Sequence, residues 1–171
     1  NIALMGGDEN YLQLNGFAIE IGRNFNQTDV RSARNVCLLG YDVANKLFVQ
    51  GPQMAVNKII RINSIPYRVL GVLESRGSSF GFSRDNMVLT TFTNVDRNFN
   101  AGNSFNIAVQ ATDINKVPVA MGEAEGLFRA IRRLNTREES NFVLDRADSV
   151  AEKAMNSLGF DESEMAVARA T

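Results

Sequence analysis

The sequence predicts an α+β protein in two parts, β-rich first and strand–helix–strand afterwards. Three observations carry that prediction. Between Phe17 and Thr91, short apolar runs recur and are bounded by Gly, Pro, Asn and Ser, the punctuation of strands and tight turns. From Val117 to Leu134, apolar residues recur instead at three- and four-residue steps, the period of an amphipathic helix. Phe105, Ile107 and Val109 before that helix, and Phe142 and Leu144 after it, alternate with period two. A chain of 171 residues, 44% hydrophobic and 22% charged, suits one soluble globular unit or two small subdomains sharing a core.

Taken in order, Asn1–Met5 reads as the end of a strand and Gly6-Gly7 as a break. Asp8-Glu9-Asn10-Tyr11-Leu12 starts a short helix with acids in its first turn, and Asn15-Gly16 ends it. Phe17–Ile21 is a strand with Phe17, Ile19 and Ile21 on one side and Glu20 outside. Gly22-Arg23-Asn24-Phe25 turns, and Thr28-Asp29 caps a helical turn through Ser32. Val36–Leu39 is a continuous apolar strand that stops at Gly40, where backbone freedom lets the chain turn. Residues 42–48 form a helix with Val43, Ala44, Leu47 and Phe48 on one face, ended by Gly51-Pro52. Lys58–Ile62 and Ile65–Glu74 are strands joined by a tight turn, with Asn63 best able to adopt a left-handed conformation. Ser75–Asp85 is a polar, glycine-containing loop, Asn86–Thr91 a strand, Asn94–Phe99 a helical turn and 100–103 a loop.

In the last third, strand 105–111, helix 117–134 and strand 141–145 make a split βαβ unit. Pro118 is tolerated in the helix's first turn. The helix is about 27 Å long, and Arg129, Arg132 and Arg133 lie near its C-terminal end, where the helix dipole favours cations. Its apolar stripe is expected to lie on the unit's own small sheet, so that Leu127→Asp loosens or unfolds this half. One βαβ unit cannot bury both faces of its strands alone. Asp148 then caps a helix over 149–158, which Gly159 terminates.

Several function classes fall away. The chain has no histidine, which removes Ser-His-Asp and Cys-His catalysis, histidine metal sites and imidazole switching. A net charge of −1 makes no electrostatic case for nucleic acid. The lone Cys37 sits inside an apolar strand and reads as a small buried hydrophobe. Glu9, Glu20, Glu74, Asp85 and Asp96 are scattered at strand ends or helix starts, where solvation or capping accounts for them, and no dense acidic cluster offers a metal site. No Gly-x-Ser-x-Gly elbow is present, and pairing Ser78 or Ser79 with Lys58 is arbitrary. No catalytic, cofactor or metal site is therefore assigned. No apolar run reaches membrane-spanning length, no signal peptide opens the chain, and its start at Asn1 without methionine reads as a piece of something longer.

The order Gly22-Arg23, Phe25, Val36, Leu39-Gly40, Ala44, Leu47-Phe48, Pro52, Ile60, Ile62-Asn63, Tyr67, Val69 and Gly71-Val72-Leu73-Glu74 resembles the extracytoplasmic core domain of MacB-type ABC transporter permeases. No single piece is specific; the ordered recurrence is. The resemblance implies that residues 6–103 are the β-rich Sabre-like subdomain, inserted into a Porter-like subdomain. Residues 104–159 are then the C-terminal half of that Porter-like βαβ subdomain, and 160–171 a tail leading toward a transmembrane helix. It also implies a membrane permease that works as a dimer with a cytoplasmic ATPase, fused or separate, and contacts a substrate or a periplasmic adaptor. With the partner half of the Porter-like subdomain absent, the chain is expected to self-associate through 104–145.

The loop Arg76-Gly-Ser-Ser-Phe-Gly-Phe is the sharpest local feature. Its amides, beside Arg76 and Arg84, could hold an anion, but it lacks the phosphate-loop spacing and lysine. Exposed aromatics on a loop fit a partner contact better, with Arg76, Phe80, Phe82 and Arg84 as the candidate residues. The leading reading is a non-catalytic extracytoplasmic permease domain. The alternative is a free-standing ligand-binding or adhesion module that uses loop 75–85. A carboxylate hydrolase is opposed by the missing histidines and motifs.

Overall fold

The computed structural model describes residues 2–79, 82–83, 85–99 and 105–146. The expected helix 149–158, the tail 160–171 and the loop 100–103 lie outside them. The chain divides into two compact units, 1–110 and 111–171.

In the first unit, β1 (Ala3–Gly7) is followed by α1 (Tyr11–Leu14), β2 (Ile19–Gly22), α2 (Gln27–Arg31), β3 (Val36–Leu39) and α3 (Tyr41–Leu47). After a 3-10 turn at Pro52–Ala55 come β4 (Ile59–Ile62), β5 (Ile65–Leu73), the short β6 (Ser78–Ser79) and β7 (Phe82–Ser83), β8 (Met87–Thr91) and α4 (Phe92–Phe99). The main sheet runs β1-β8-β3-β5-β2, with β4 also paired to β5. β1–β8 and β3–β5 are parallel, whereas β3–β8, β2–β5 and β4–β5 are antiparallel. The α+β class read from the sequence holds.

Every residue of β3 and β8 is buried, which is why Val36–Leu39 reads as unbroken apolar sequence. Alternate side chains enter two cores. Val36 and Leu38 join Leu12, Phe25, Val30, Met87 and Leu89, while Cys37 and Leu39 join Val43, Ala44, Tyr67, Val69 and Val88. In β5 the alternation slips. Val69 faces Cys37 but Gly71 faces Leu38, leaving Leu70 as the extra residue of a bulge. Tyr67, Val69 and Val72 thus share one core and Leu70 and Leu73 the other. The β4–β5 turn has φ of +47° at Asn63 and +68° at Ser64, the two left-handed residues of a type I′ hairpin.

Some local expectations change. Gly6-Gly7 do not break a strand; β1 runs through both. A Cβ on Gly6 would lie 2.9 Å from Phe92 Cα, and one on Gly7 2.7 Å from Tyr11, so the missing side chains admit α4 and α1. The cap of α2 is Asn26, not Thr28-Asp29. Asn26 Oδ1 accepts from the Asp29 amide (2.8 Å) and Asp29 Oδ2 from the Asn26 amide (3.2 Å), a reciprocal capping box. Leu47 is 51% exposed, so only part of the expected α3 face is buried.

In the second unit, α5 spans Val117–Ile131, ending short of residue 134. No residue of it is buried, and Leu127 is 61% exposed, which overturns its expected core role. Residues 105–110, at the end of the first unit, and 141–146, in the second, form no strand, contrary to the predicted βαβ unit. Alternation marks a segment able to join a sheet, but a strand exists only with a ladder neighbour. Phe105, Ile107 and Val109 are 61%, 66% and 73% exposed.

Candidate functional site

The arm made by residues 75–85 leaves the end of β5 and returns into β8, the two strands that flank β3. Its middle is a two-stranded ribbon, with Ser78 opposite Ser83 and Ser79 opposite Phe82. Serines and glycines permit that tight excursion, and Gly77 adopts φ +70° where no atom crowds it. Of the four predicted contact residues, Phe80 and Arg84 lie outside the described residues, and Phe82 is placed on β7 by its backbone. Arg76 is exposed yet engaged. Its Nη1 donates to the Asn15 carbonyl (3.1 Å), and its guanidinium lies 5.2 Å from the centre of the Phe17 ring.

Opposite Arg76 stands Asp85, which is 3% exposed. Its carboxylate accepts from Ser75 Oγ (2.7 Å) and from the amides of Arg76 (2.8 Å) and Gly77 (3.0 Å). Burial alone pushes this carboxyl up, but the Arg76 amide, the Ser75 hydroxyl, the Gly77 amide and the Arg76 charge outweigh it and hold the group below the usual Asp range. In the sequence Asp85 reads as one of several scattered carboxylates. An acid at the far foot of a glycine-bearing loop, where it can reach back to the first foot's amides, is the signal that marks it.

Gly40 serves the same place. Its φ of −63° and ψ of 152° suit any residue, so it is not there to turn the chain. A Cβ on it would lie 2.3 Å from the Asp85 carbonyl, which accepts instead from the Asp42 amide (3.1 Å) at the start of α3.

A second buried carboxylate, Asp29, is bound by Arg23 (2.8 Å) and Arg34 (3.2 Å), which hold α2 against its flanking turns. Desolvation raises its pKa, but the hydrogen bonds from Arg23 and the Asn26 amide and both arginine charges win, and the net shift is downward. A buried polar cluster joins Tyr67 Oη to Asn94 Oδ1 (2.5 Å), with Asn98 donating to Tyr67 Oη (3.0 Å) and Asn94 to the Ala33 carbonyl (3.0 Å). The cluster ties α4 to β5 and to the turn between α2 and β3. Also within the first unit, a groove of about 790 Å³ runs beside β1, lined by Met5, Tyr11, Leu14, Phe92 and Phe105 among others.

Over residues 1–127 the chain matches the family described as the MacB-like periplasmic core domain. It is 29% identical over 151 residues to the macrolide export ATP-binding/permease protein MacB of Rhodopirellula baltica, covering 87% of this chain and 21% of that protein. The pyoverdine export ATP-binding/permease protein PvdT of Pseudomonas savastanoi pv. phaseolicola is 25% identical over 151 residues, covering 87% of this chain and 22% of that one. The chain thus spans about a fifth of the length of these curated relatives. The crystal structure of the periplasmic region of MacB from Actinobacillus actinomycetemcomitans superposes with a TM-score of 0.70 at 19% identity, covering 90% of this chain and 65% of that one. At that identity the likeness shows the fold alone. With the family matched along most of its length, the chain belongs to the MacB-like periplasmic core domain family.

Proposed function

We propose that this chain is a non-catalytic extracytoplasmic domain of a MacB-type ABC transporter permease, passing ATP-driven movement of the membrane helices to a substrate or a periplasmic partner. The family match over residues 1–127 carries the reading. It is supported by a sheet whose central strands are buried on both faces, since close-packed cores transmit strain and compress little. ATP is then bound across the cell membrane by a separate or fused ABC ATPase, and a second permease subunit completes the pair. Residues 6–103 are the Sabre-like subdomain, 104–159 half of the Porter-like one, and 160–171 the lead toward a transmembrane helix. The arm, with Arg76, Phe80, Phe82 and Arg84, contacts the partner, and 104–145 self-associates when the domain is produced alone.

Among the described residues, no group of His, Cys, Asp and Glu is arranged to hold a metal ion. Burial pushes the Cys37 thiol up to about 12, which keeps it protonated and unreactive.

The test is made on the parent transporter reconstituted in membranes with its ATPase. Replacing residues 78–83 by a flexible Gly-Ser linker is expected to leave basal ATP hydrolysis intact and to lower export. Unchanged export rejects the arm as the contact. A parent gene lacking apolar runs of about twenty residues on both sides of this chain rejects the permease itself.

A further inference from the structure

The feet of the arm hold more polar contacts than closing a hairpin requires. β6 and β7 already pair with each other. Beneath them, both oxygens of the buried Asp85 carboxylate are used as acceptors: Oδ1 takes the Arg76 amide, and Oδ2 takes the Ser75 hydroxyl and the Gly77 amide. The first foot is therefore fixed to the second at three successive residues. The same Asp85 is fixed through its main chain to the start of α3, where Gly40 leaves room for it. The first foot is fixed again on another side. The Glu74 amide donates to the Ala18 carbonyl (3.0 Å), and Arg76 reaches Asn15 while lying over Phe17.

We propose that Asp85 is the latch of a rigid mount, with Arg76 as its brace, so that the feet of the arm move as one body with the main sheet instead of swinging at Gly77. Gly77 is the natural hinge, with a left-handed φ and open space around it, and the latch closes on its own amide. Arg76 is thereby reassigned from a partner contact to a positioning residue at the base. Load applied to the ribbon passes into β5 and β8 on either side of β3, and through Asn15 and Ala18 to the α1–β2 turn. The mount's mechanical meaning rests on the proposed role of the arm as a partner contact; its existence does not.

Asp85→Asn tests it with almost no change of volume. An amide keeps one acceptor oxygen and presents an NH2 where the other stood, so one set of donors must lose its partner. Ser75→Ala removes one donor and leaves both amide bonds. Backbone amide hydrogen exchange is followed by NMR in the 171-residue chain and both variants. In Asp85→Asn, exchange at Arg76 or Gly77 is expected to rise by about tenfold or more, while Leu38, Val69 and Leu89 keep their protection. Ser75→Ala is expected to give a smaller rise at the same amides. Equal loss of protection in the strands overturns the proposal, because Asp85 then serves the core, not the arm. Unchanged exchange at both amides also overturns it. In the parent transporter, Asp85→Asn is expected to weaken export. If the amides respond and export does not, the mount stands and the arm's role as the partner contact falls.

Discussion

The short helix α3 and the long helix α5 carry the same kind of apolar stripe and meet opposite fates. α3 has 7 residues, yet Val43 and Ala44 on it are 1% and 0% exposed. α5 has 15 residues and buries none; Val119, Leu127 and Ile131 are each more than 60% exposed. α3 follows directly from β3, a strand that is already covered by paired neighbours on both edges, so its stripe has a sheet to lie on. Among the described residues of its own unit, α5 is followed by the segment 141–146, which forms no ladder and brings Phe142 to 5.4 Å from Phe128 between ring centres. A 3.6-residue apolar period states that a helix needs a partner face. It does not state where in the sequence that face is encoded.

The sharpest way to break this comparison is to cut equal side chains from the two regions. Leu38 lies at 0% exposure in the middle of β3 and packs among Val36, Leu70 and Leu89. Leu38→Ala is expected to cost about 2–5 kcal/mol, the lost transfer energy plus a cavity that two-sided packing cannot collapse. Leu127→Ala is expected to cost under about 0.5 kcal/mol in the same chain. Urea titrations of the two variants measure both, and equal costs would show that α5 is buried in solution.

A smaller effect is expected where α3 meets the arm. Gly40→Ala places a methyl 2.3 Å from the Asp85 carbonyl, and a backbone atom cannot turn aside as a flexible side chain can. The expected loss is about 1–3 kcal/mol by overpacking, with faster amide exchange at the arm's feet. An unaltered melting temperature would mean that Asp85 does not sit where Gly40 makes room for it.

Below that in size stands acid sensitivity. The Asp29 and Asp85 carboxyls are both held below their ordinary range in the folded chain. A carboxyl with a depressed folded pKa stabilises fully above its unfolded value of about 4, and the contribution is lost as pH falls through the folded value. Melting temperature is therefore expected to be insensitive to these groups near neutrality and to fall below about pH 4. In Asp29→Asn, the Arg23 and Arg34 guanidiniums remain charged but face a neutral amide. That variant is expected to be about 1–2 kcal/mol less stable near neutrality and to lose less on acidification. Parallel acid limbs in the two proteins would show that Asp29 carries none of the dependence.

These contrasts also show what could be read beforehand. β3, β5, β8 and the turn at Asn63 were legible because their signals are local: a run of apolar residues, or an Asn able to take φ of +47°. The glycines were legible as special but not in kind. Gly6 and Gly40 are required by neighbours distant in sequence, Phe92 and Asp85, and Gly7 by Tyr11 four residues on; neither a break at Gly6-Gly7 nor backbone freedom at Gly40 accounts for them. Asp85 was invisible for the same reason, since its importance comes from the feet of an eleven-residue excursion being brought together. Alternation at 105–111 and 141–145 signals strands that do not form, because alternation does not supply a partner for the ladder.

The smallest expected change in stability is the most informative about α5. Leu127→Asp, which the sequence pattern alone predicts to unfold this half, puts a charge on a side chain that is 61% exposed. A charge already in water carries little desolvation cost, so melting is expected to be unchanged. The same charge placed in an interface between two copies would have to be desolvated. Light scattering at high concentration is therefore expected to show self-association in the original chain and less of it in Leu127→Asp. A chain that is strictly monomeric in both forms removes 104–145 as a self-association surface. A fall of several degrees in melting temperature without any change in mass would show that α5 finds its cover within a single chain.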